Sequence, residues 1–238
     1  DKVNATGTLL AEESVELTTE VAGRITQINF NEGQKVQKGE LLLKIDDEEL
    51  QAQLNKVTHQ LKLARTQENR LKNLLDMEAV SQEEYDNAMT NLLSLQADST
   101  LYRSQINKKE VRAPFSGVLG LRKVSPGAYV TANTPIASLV KIQPLKLQFS
   151  VPEKYVRKVN EGQKVNFSIS ADTTIRTATV YAFEPEIDPS TRSVQIRAKY
   201  KNENEDLVPG FFADVEIILE ERESALKVPT QALMPELG

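Results

Sequence analysis

Cysteine and tryptophan are both absent from the 238-residue chain, and histidine occurs once, at His59. Without cysteine there is no disulfide, no thiol nucleophile and no thiolate-bound zinc or iron–sulfur site. One histidine cannot build a two-histidine metal motif, and Met77, Met89 and Met234 stand too far apart in sequence to suggest a thioether site. No run approaches the ~18 uninterrupted apolar residues of a membrane helix, and residues 1–10 have neither a basic start nor an apolar centre. The expectation is that any export signal or lipid anchor has been removed or never existed. Positive charge is also short: 29 Lys and Arg against 34 Asp and Glu give a net charge of -5, which argues against nucleic acid as a partner. Catalytic signatures are missing as well, with no G-x-S-x-G and no phosphate-binding glycine loop. Asp46, Asp47, Glu48 and Glu49 are consecutive, as acids at a helix start are, whereas an acid and base pair needs carboxylates across a cleft. These residues predict no enzyme chemistry, no cofactor and no metal.

What is present is a repeat. The pentapeptide EGQKV occurs at Glu32–Val36 and Glu161–Val165, but the second copy lies in another setting, after VPEKYVRKVN and before NFSIS. A second correspondence runs deeper: from Gly23, the positions of Gly33, Val36 and Ile45 recur from Gly117 as Gly127, Val130 and Leu139 at the same offsets. The repeated unit is therefore 23–45 against 117–139. Each half reads as short alternating strands with Gly33 or Gly127 closing a hairpin, and two halves facing each other cover the apolar faces and edges that one would expose. The second EGQKV is read as turn-then-strand chemistry reused in another domain, with Gly162 ending a short helical turn over Pro152–Val159.

Between the halves, Asp46–Glu110 contains neither glycine nor proline, which predicts continuous helix. Leu50, Leu54, Val57, Leu61, Ala64, Glu68, Leu71 and Leu75 form a heptad seam with Glu68 its polar interruption. Ala88, Leu92, Leu95, Ser99, Tyr102 and Ile106 form a second, weaker seam. Together they predict an antiparallel hairpin turning near Met77–Ser81, with Ser81 capping the second helix and Glu84 completing a capping box. The weak second seam suggests packing against neighbouring copies. From Pro144 onward, alternating segments such as LKLQFSV and SVQIRAKY, punctuated by Asp188-Pro189 and Pro209-Gly210, predict a closed β-barrel.

Four stretches, EVAGRITQINFNEGQKVQKGELLLKID, VRAPFSGVLGLRKVSPGAYV, IDPSTRSVQIRAKYKNENEDLVPGFFADVEI and KVPTQAL, in this order resemble the periplasmic adaptor, or membrane fusion protein, family of tripartite efflux pumps. The resemblance covers essentially the whole chain. It implies an elongated, multi-domain, mixed α and β fold. Residues 11–45 and 111–140 form a split lipoyl-like β-sandwich, 46–110 an inserted antiparallel α-helical coiled-coil hairpin, 141–220 a β-barrel, and 1–10 with 221–238 the stub of a membrane-proximal domain. In lipoyl carriers a lysine on a tight hairpin bears the cofactor; here the helices replace that hairpin and Lys44 sits in a strand, so a carrier role is rejected.

The resemblance further implies a non-catalytic periplasmic adaptor joining an inner-membrane transporter, of RND type, to a TolC-type outer-membrane channel for drug efflux. Six or so copies would form the tube, anchored to the inner membrane through a missing N-terminal segment. Arg70, Leu74 and Ser81 stand at the spacings of the family's channel-contacting tip residues. The alternative assigns Arg70 to the solvated face, Leu74 to the hairpin core and Ser81 to the cap alone. Within the family, an adaptor for an ATP-driven exporter or for type I secretion is the other reading. Outside it, the distant alternative is an acyl or carboxyl carrier domain of an enzyme.

Overall fold

A computed structural model describes residues 2–170 and 172–219. They fall into two compact units, 14–140 on one side and 2–13 with the described residues from 141 onward on the other. In chain order the elements are β1 (Lys2–Thr18), β2 (Gly23–Ile28), β3 (Lys35–Val36), β4 (Leu41–Ile45), α1 (Glu48–Asp76), α2 (Gln82–Lys108), β5 (Glu110–Arg112), β6 (Gly117–Leu119) and β7 (Tyr129–Val130). Then follow β8 (Pro135–Pro152), α3 (Glu153–Val156), β9 (Lys164–Ile169), β10 (Asp172–Phe183), β11 (Ser193–Tyr200) and β12 (Phe212–Ile218). Among the described residues no helix is long and apolar enough to cross a membrane.

The first unit is built on the repeat, and its hydrogen bonds show how closely the halves correspond. Residues 94 apart, as Gly23 is from Gly117, make matching bonds. Gly33 N–H donates to Leu119 O at 3.0 Å and Gly127 N–H to Ile25 O at 2.9 Å. Gly39 N–H donates to Ala113 O at 2.8 Å and Asn133 N–H to Thr19 O, also at 2.8 Å. Every one of these bonds runs between halves, so the two modules clasp each other through reciprocal pairing. Leu42, Leu43 and Ile45 of one half and Ile136, Ala137 and Leu139 of the other are fully buried in the shared core.

The reciprocal pairing corrects the hairpin expectation. Gly33 lies between β2 and β3, yet β2 pairs with β4 and β7 while β3 pairs with β6. Gly127, between β6 and β7, joins strands that likewise belong to different sheets. Both glycines, at φ 74 and φ 82, turn the chain around a corner instead of closing a hairpin. Each half is too short to complete a sheet by itself and lends a two-residue strand to the other.

The second unit is a ring of strands in the order β1-β12-β9-β10-β11-β8, closed by pairing of β1 with β8. Alternation drives it: Leu145, Leu147, Phe149 and Val151 of β8 point inward, while Lys146, Gln148 and Ser150 lie between them. Phe167 meets Tyr200 edge-on at 5.2 Å inside. The sequence reading gave residues 1–10 to a further domain, but Lys2–Thr8 pair with β12 from Ile218 to Phe212 and Leu9 is fully buried in the barrel core. Val3 and Leu9 point inward with the compact Gly7 between them, an alternation that earns the segment its place in the barrel wall. Residues 221–238, the other part of that expected stub, lie outside the described residues.

The two copies of the pentapeptide form the same turn. Gln34 N–H donates to Asn31 O and Gln163 N–H to Asn160 O, each at 3.2 Å. In both, the glutamine side chain accepts from the asparagine N–H, at 2.9 Å and 3.0 Å. Gly33 and Gly162 take the positive φ that the third position requires. The helical turn expected before Gly162 is shorter than Pro152–Val159 and ends at Val156, so Gly162 serves this turn and is not a helix stop.

Candidate functional site

The helical hairpin of the first unit carries the residues singled out by sequence. Its base is held by β4 and β5, which pair beside each other and run into α1 and out of α2. Asp47, just before α1, is buried and forms an ion pair with Lys44 at 3.0 Å, and its carboxylate accepts from Gln51 at 3.0 Å. Burial alone would raise its pKa; the Gln51 amide and the Lys44 ammonium outweigh that and hold it below the usual carboxylate range. Lys44 is thus tied into the helix start. Glu48 and Glu49 sit in the first turn of α1, where they offset the helix dipole.

The seam forms where the heptads place it. Val57, Ala64 and Glu68 of α1 and Leu92, Ser99 and Ile106 of α2 are buried. Glu68 is the informative member: Tyr85 Oη donates to its Oε1 at 3.1 Å, giving the buried carboxylate a partner across the hairpin. That hydrogen bond is also what raises the Tyr85 phenol pKa. Heptad reading identified Glu68 as an interruption and missed Tyr85, because the match depends on helix register. A groove of about 390 Å³ beside the seam is lined by Ala64, Gln67, Leu71, Glu84, Ala88 and Asn91, among others.

At the far end, two caps reverse the chain over 77–81. Glu78 N–H donates to Leu75 O at 2.8 Å and Ala79 N–H to Leu74 O at 2.9 Å, a Schellman arrangement with Glu78 at φ 55. Ser81 then caps α2: its Oγ accepts from Glu84 N–H, and Glu84 Oε2 accepts from Ser81 N–H, each at 3.2 Å. The expected capping box is present. Met77 is 75% exposed at the turn.

Arg70 is exposed and Leu74, one turn later on the same flank, is half-buried. Ser81 is exposed beyond the turn with its oxygen engaged by Glu84 N–H, so its hydroxyl proton can still be donated outward. The end of the hairpin therefore offers a guanidinium, an apolar side chain and a hydroxyl on a doubly capped, rigid turn. Such a set has the chemistry of a protein-docking surface, with donors beside an apolar side chain. It contains no nucleophile and base pair. A separate cleft of about 670 Å³ lies on the barrel beside Asn4, Thr6, Ser168, Ile175 and Asp214.

Comparison with known proteins agrees with this architecture. Residues 13–143 match the family model described as RND MFP, barrel-sandwich hybrid domain, and residues 145–221 match the CusB-like, beta-barrel domain. The chain belongs to the RND membrane fusion protein (MFP) family. Multidrug resistance protein MdtA of Xenorhabdus bovienii is 29% identical over 250 residues, covering 95% of this chain and 60% of the relative. The chain thus spans about 60% of the length of the curated relatives it matches. In fold it is similar to a MacA-MexA chimeric protein containing the Pseudomonas aeruginosa MexA alpha-hairpin domain. The TM-score is 0.82 and the identity 24%, over 100% of this chain and 90% of that one. The membrane fusion protein Spr0693 of Streptococcus pneumoniae gives a TM-score of 0.73 at 18% identity, over 92% of this chain and 100% of that one.

Proposed function

We propose that this chain is the central part of a periplasmic adaptor that links an inner-membrane transporter of RND type to a TolC-type outer-membrane channel. The exported compounds are drugs or other small toxic molecules. The observation that carries this reading is the joint match of both consecutive domains to adaptor family models, with a doubly capped helical hairpin inserted in the first. Relatives named as multidrug resistance proteins support the substrate class. The role is structural and non-catalytic. About six copies line a tube whose wall includes the lipoyl-like sandwich and the barrel. The hairpin is a coiled coil that reaches the channel through Arg70, Leu74 and Ser81, and the whole protein is anchored to the inner membrane by a segment preceding this chain.

The chemistry of the tip supports the contact. A guanidinium offers several donors to carboxylates or carbonyls of a partner, Leu74 adds apolar burial, and the Ser81 cap holds the turn in place. Arg70→Asp in the full-length protein is expected to abolish drug export, read as loss of resistance in cells lacking their own adaptor, with the helical content of the purified protein unchanged. Unchanged resistance would remove the tip assignment.

A further inference from the structure

The cleft on the barrel has no part in the hairpin or its contacts. Its floor is the outward face of β1, β12 and β9. Ala213, Val215 and Ile217 of β12 are buried in the barrel core, so Asp214 and Glu216, which alternate with them, point outward. Strand register then sets two rows across three strands. Asp214 is paired with Thr6 on one side and Ser168 on the other, and Glu216 with Asn4 and Asn166 in the same way. One carboxylate thus stands between two hydroxyls, the next between two amides.

The two carboxylates differ in charge balance. Glu216 is neutralised by Lys2, whose ammonium lies 2.7 Å from its Oε1. Among the described residues Asp214 has no ion pair, and no lysine or arginine lines the cleft. What remains open is a single negative charge, central in the cleft and flanked by short neutral hydrogen-bonding groups. Beyond Ser168 stands Ile175, 73% exposed and also lining the cleft. It lies in the register shift of β10 between Asp172 and Arg176. Arg176 is held there by Asp172 at 2.8 Å and Asp206 at 2.9 Å, which fixes the backbone that presents Ile175. β10 is two strands from β12, roughly 10 Å across the sheet.

We infer that this cleft binds a small organic cation, a protonated amine seated on Asp214 with an apolar body of roughly 10 Å lying toward Ile175. Its volume of about 670 Å³ lies within the range of about 300–1,000 Å³ found for sites of drug-sized molecules. The ammonium donates to the Asp214 carboxylate, and the Thr6 and Ser168 hydroxyls are placed to accept its other protons. An anion would meet Asp214 with no cation to offset it, and a neutral apolar molecule would desolvate that carboxylate without a partner. Among the described residues no three carboxylates or histidines gather to hold a metal ion. The ligand class overlaps the drug-like compounds proposed above, but the site rests on the barrel alone and its test involves neither transporter nor channel.

The full-length protein is titrated with phenylbutylamine, charged at neutral pH and of the required length, and binding is followed by calorimetry. Saturable binding is expected. Phenylbutanol, with the same body and no charge, is expected to bind about tenfold more weakly or worse, and Asp214→Asn to weaken the amine by a similar factor while leaving the alcohol little changed. Ile175→Ser is expected to weaken both ligands alike, and Arg70→Asp to leave both unchanged. No saturable binding to the native protein, or equal affinity for amine and alcohol, overturns the inference. So does amine binding that survives Asp214→Asn in a protein of unchanged thermal unfolding, or that survives Ile175→Ser. Amine binding lost in Arg70→Asp would place the site on the hairpin and overturn it too.

Discussion

Glu78 sits at φ 55, in the left-handed region where a Cβ is strained and glycine, which has none, is not. Glu78→Gly is expected to raise stability by about 0.5–1 kcal/mol, and the β-branched Glu78→Val to lower it, both read by thermal unfolding. Asn202 is a second residue of this kind, fully buried at φ 49. Its amide donates to Ile142 O at 2.9 Å and Leu207 O at 3.0 Å, and its carbonyl accepts from Leu207 N–H at 3.3 Å. Asn202→Ala leaves those backbone groups unpaired and is expected to cost about 2–4 kcal/mol in denaturant unfolding. Asp172 gives a pH signature. Its pKa is held down to about 2, first by the Thr174 hydroxyl and backbone N–H and then by Arg176, which also binds Asp206 at 2.9 Å. A depressed carboxylate stabilises above its ordinary pKa of 3.8, and the effect is lost as pH falls toward 2. The thermal stability of the native protein should therefore exceed that of Asp172→Asn at pH 6 and converge with it near pH 2. None of these three roles was visible in sequence, where Glu78 and Asn202 are ordinary polar residues; the angle of Glu78 follows from how the cap on Leu74 and Leu75 closes the helix, and the burial of Asn202 from its bond to Ile142, distant in the chain.

The hairpin was largely legible at the scale of elements, because a 65-residue stretch without glycine or proline and a repeating apolar seam leave few alternatives to helix. The Ser81 cap was legible too, since its partner lies three residues away. The Glu68–Tyr85 bond was not, because it depends on how far one helix slides along the other. Tyr85→Phe removes the partner of a buried carboxylate and is expected to lower stability in denaturant unfolding, partly recovered by adding Glu68→Leu. In the sandwich, glycine spacing revealed the duplication, but two-residue strands carry no periodicity, so their partners emerged only from the pairing. Gly117 shows how tight that pairing is: a Cβ there would lie 2.6 Å from Val140 O, a backbone atom of the neighbouring strand. Gly117→Ala is expected to destabilise the protein by about 1–3 kcal/mol, since the strands must separate to admit the methyl group.

For the molecule as a whole, the reciprocal clasp of two modules is what holds the helical hairpin at its base, and the hairpin end is where the adaptor reading is most exposed to test. If the chain joins a transporter to an outer-membrane channel, its rigid capped turn must hold a partner that the sandwich and barrel do not. The deciding measurement is co-purification of a TolC-type channel with the full-length protein from membranes, native against Leu74→Asp, with folding checked by circular dichroism. The account predicts that the native protein retains the channel and that the folded variant loses it. Equal recovery with both would contradict it.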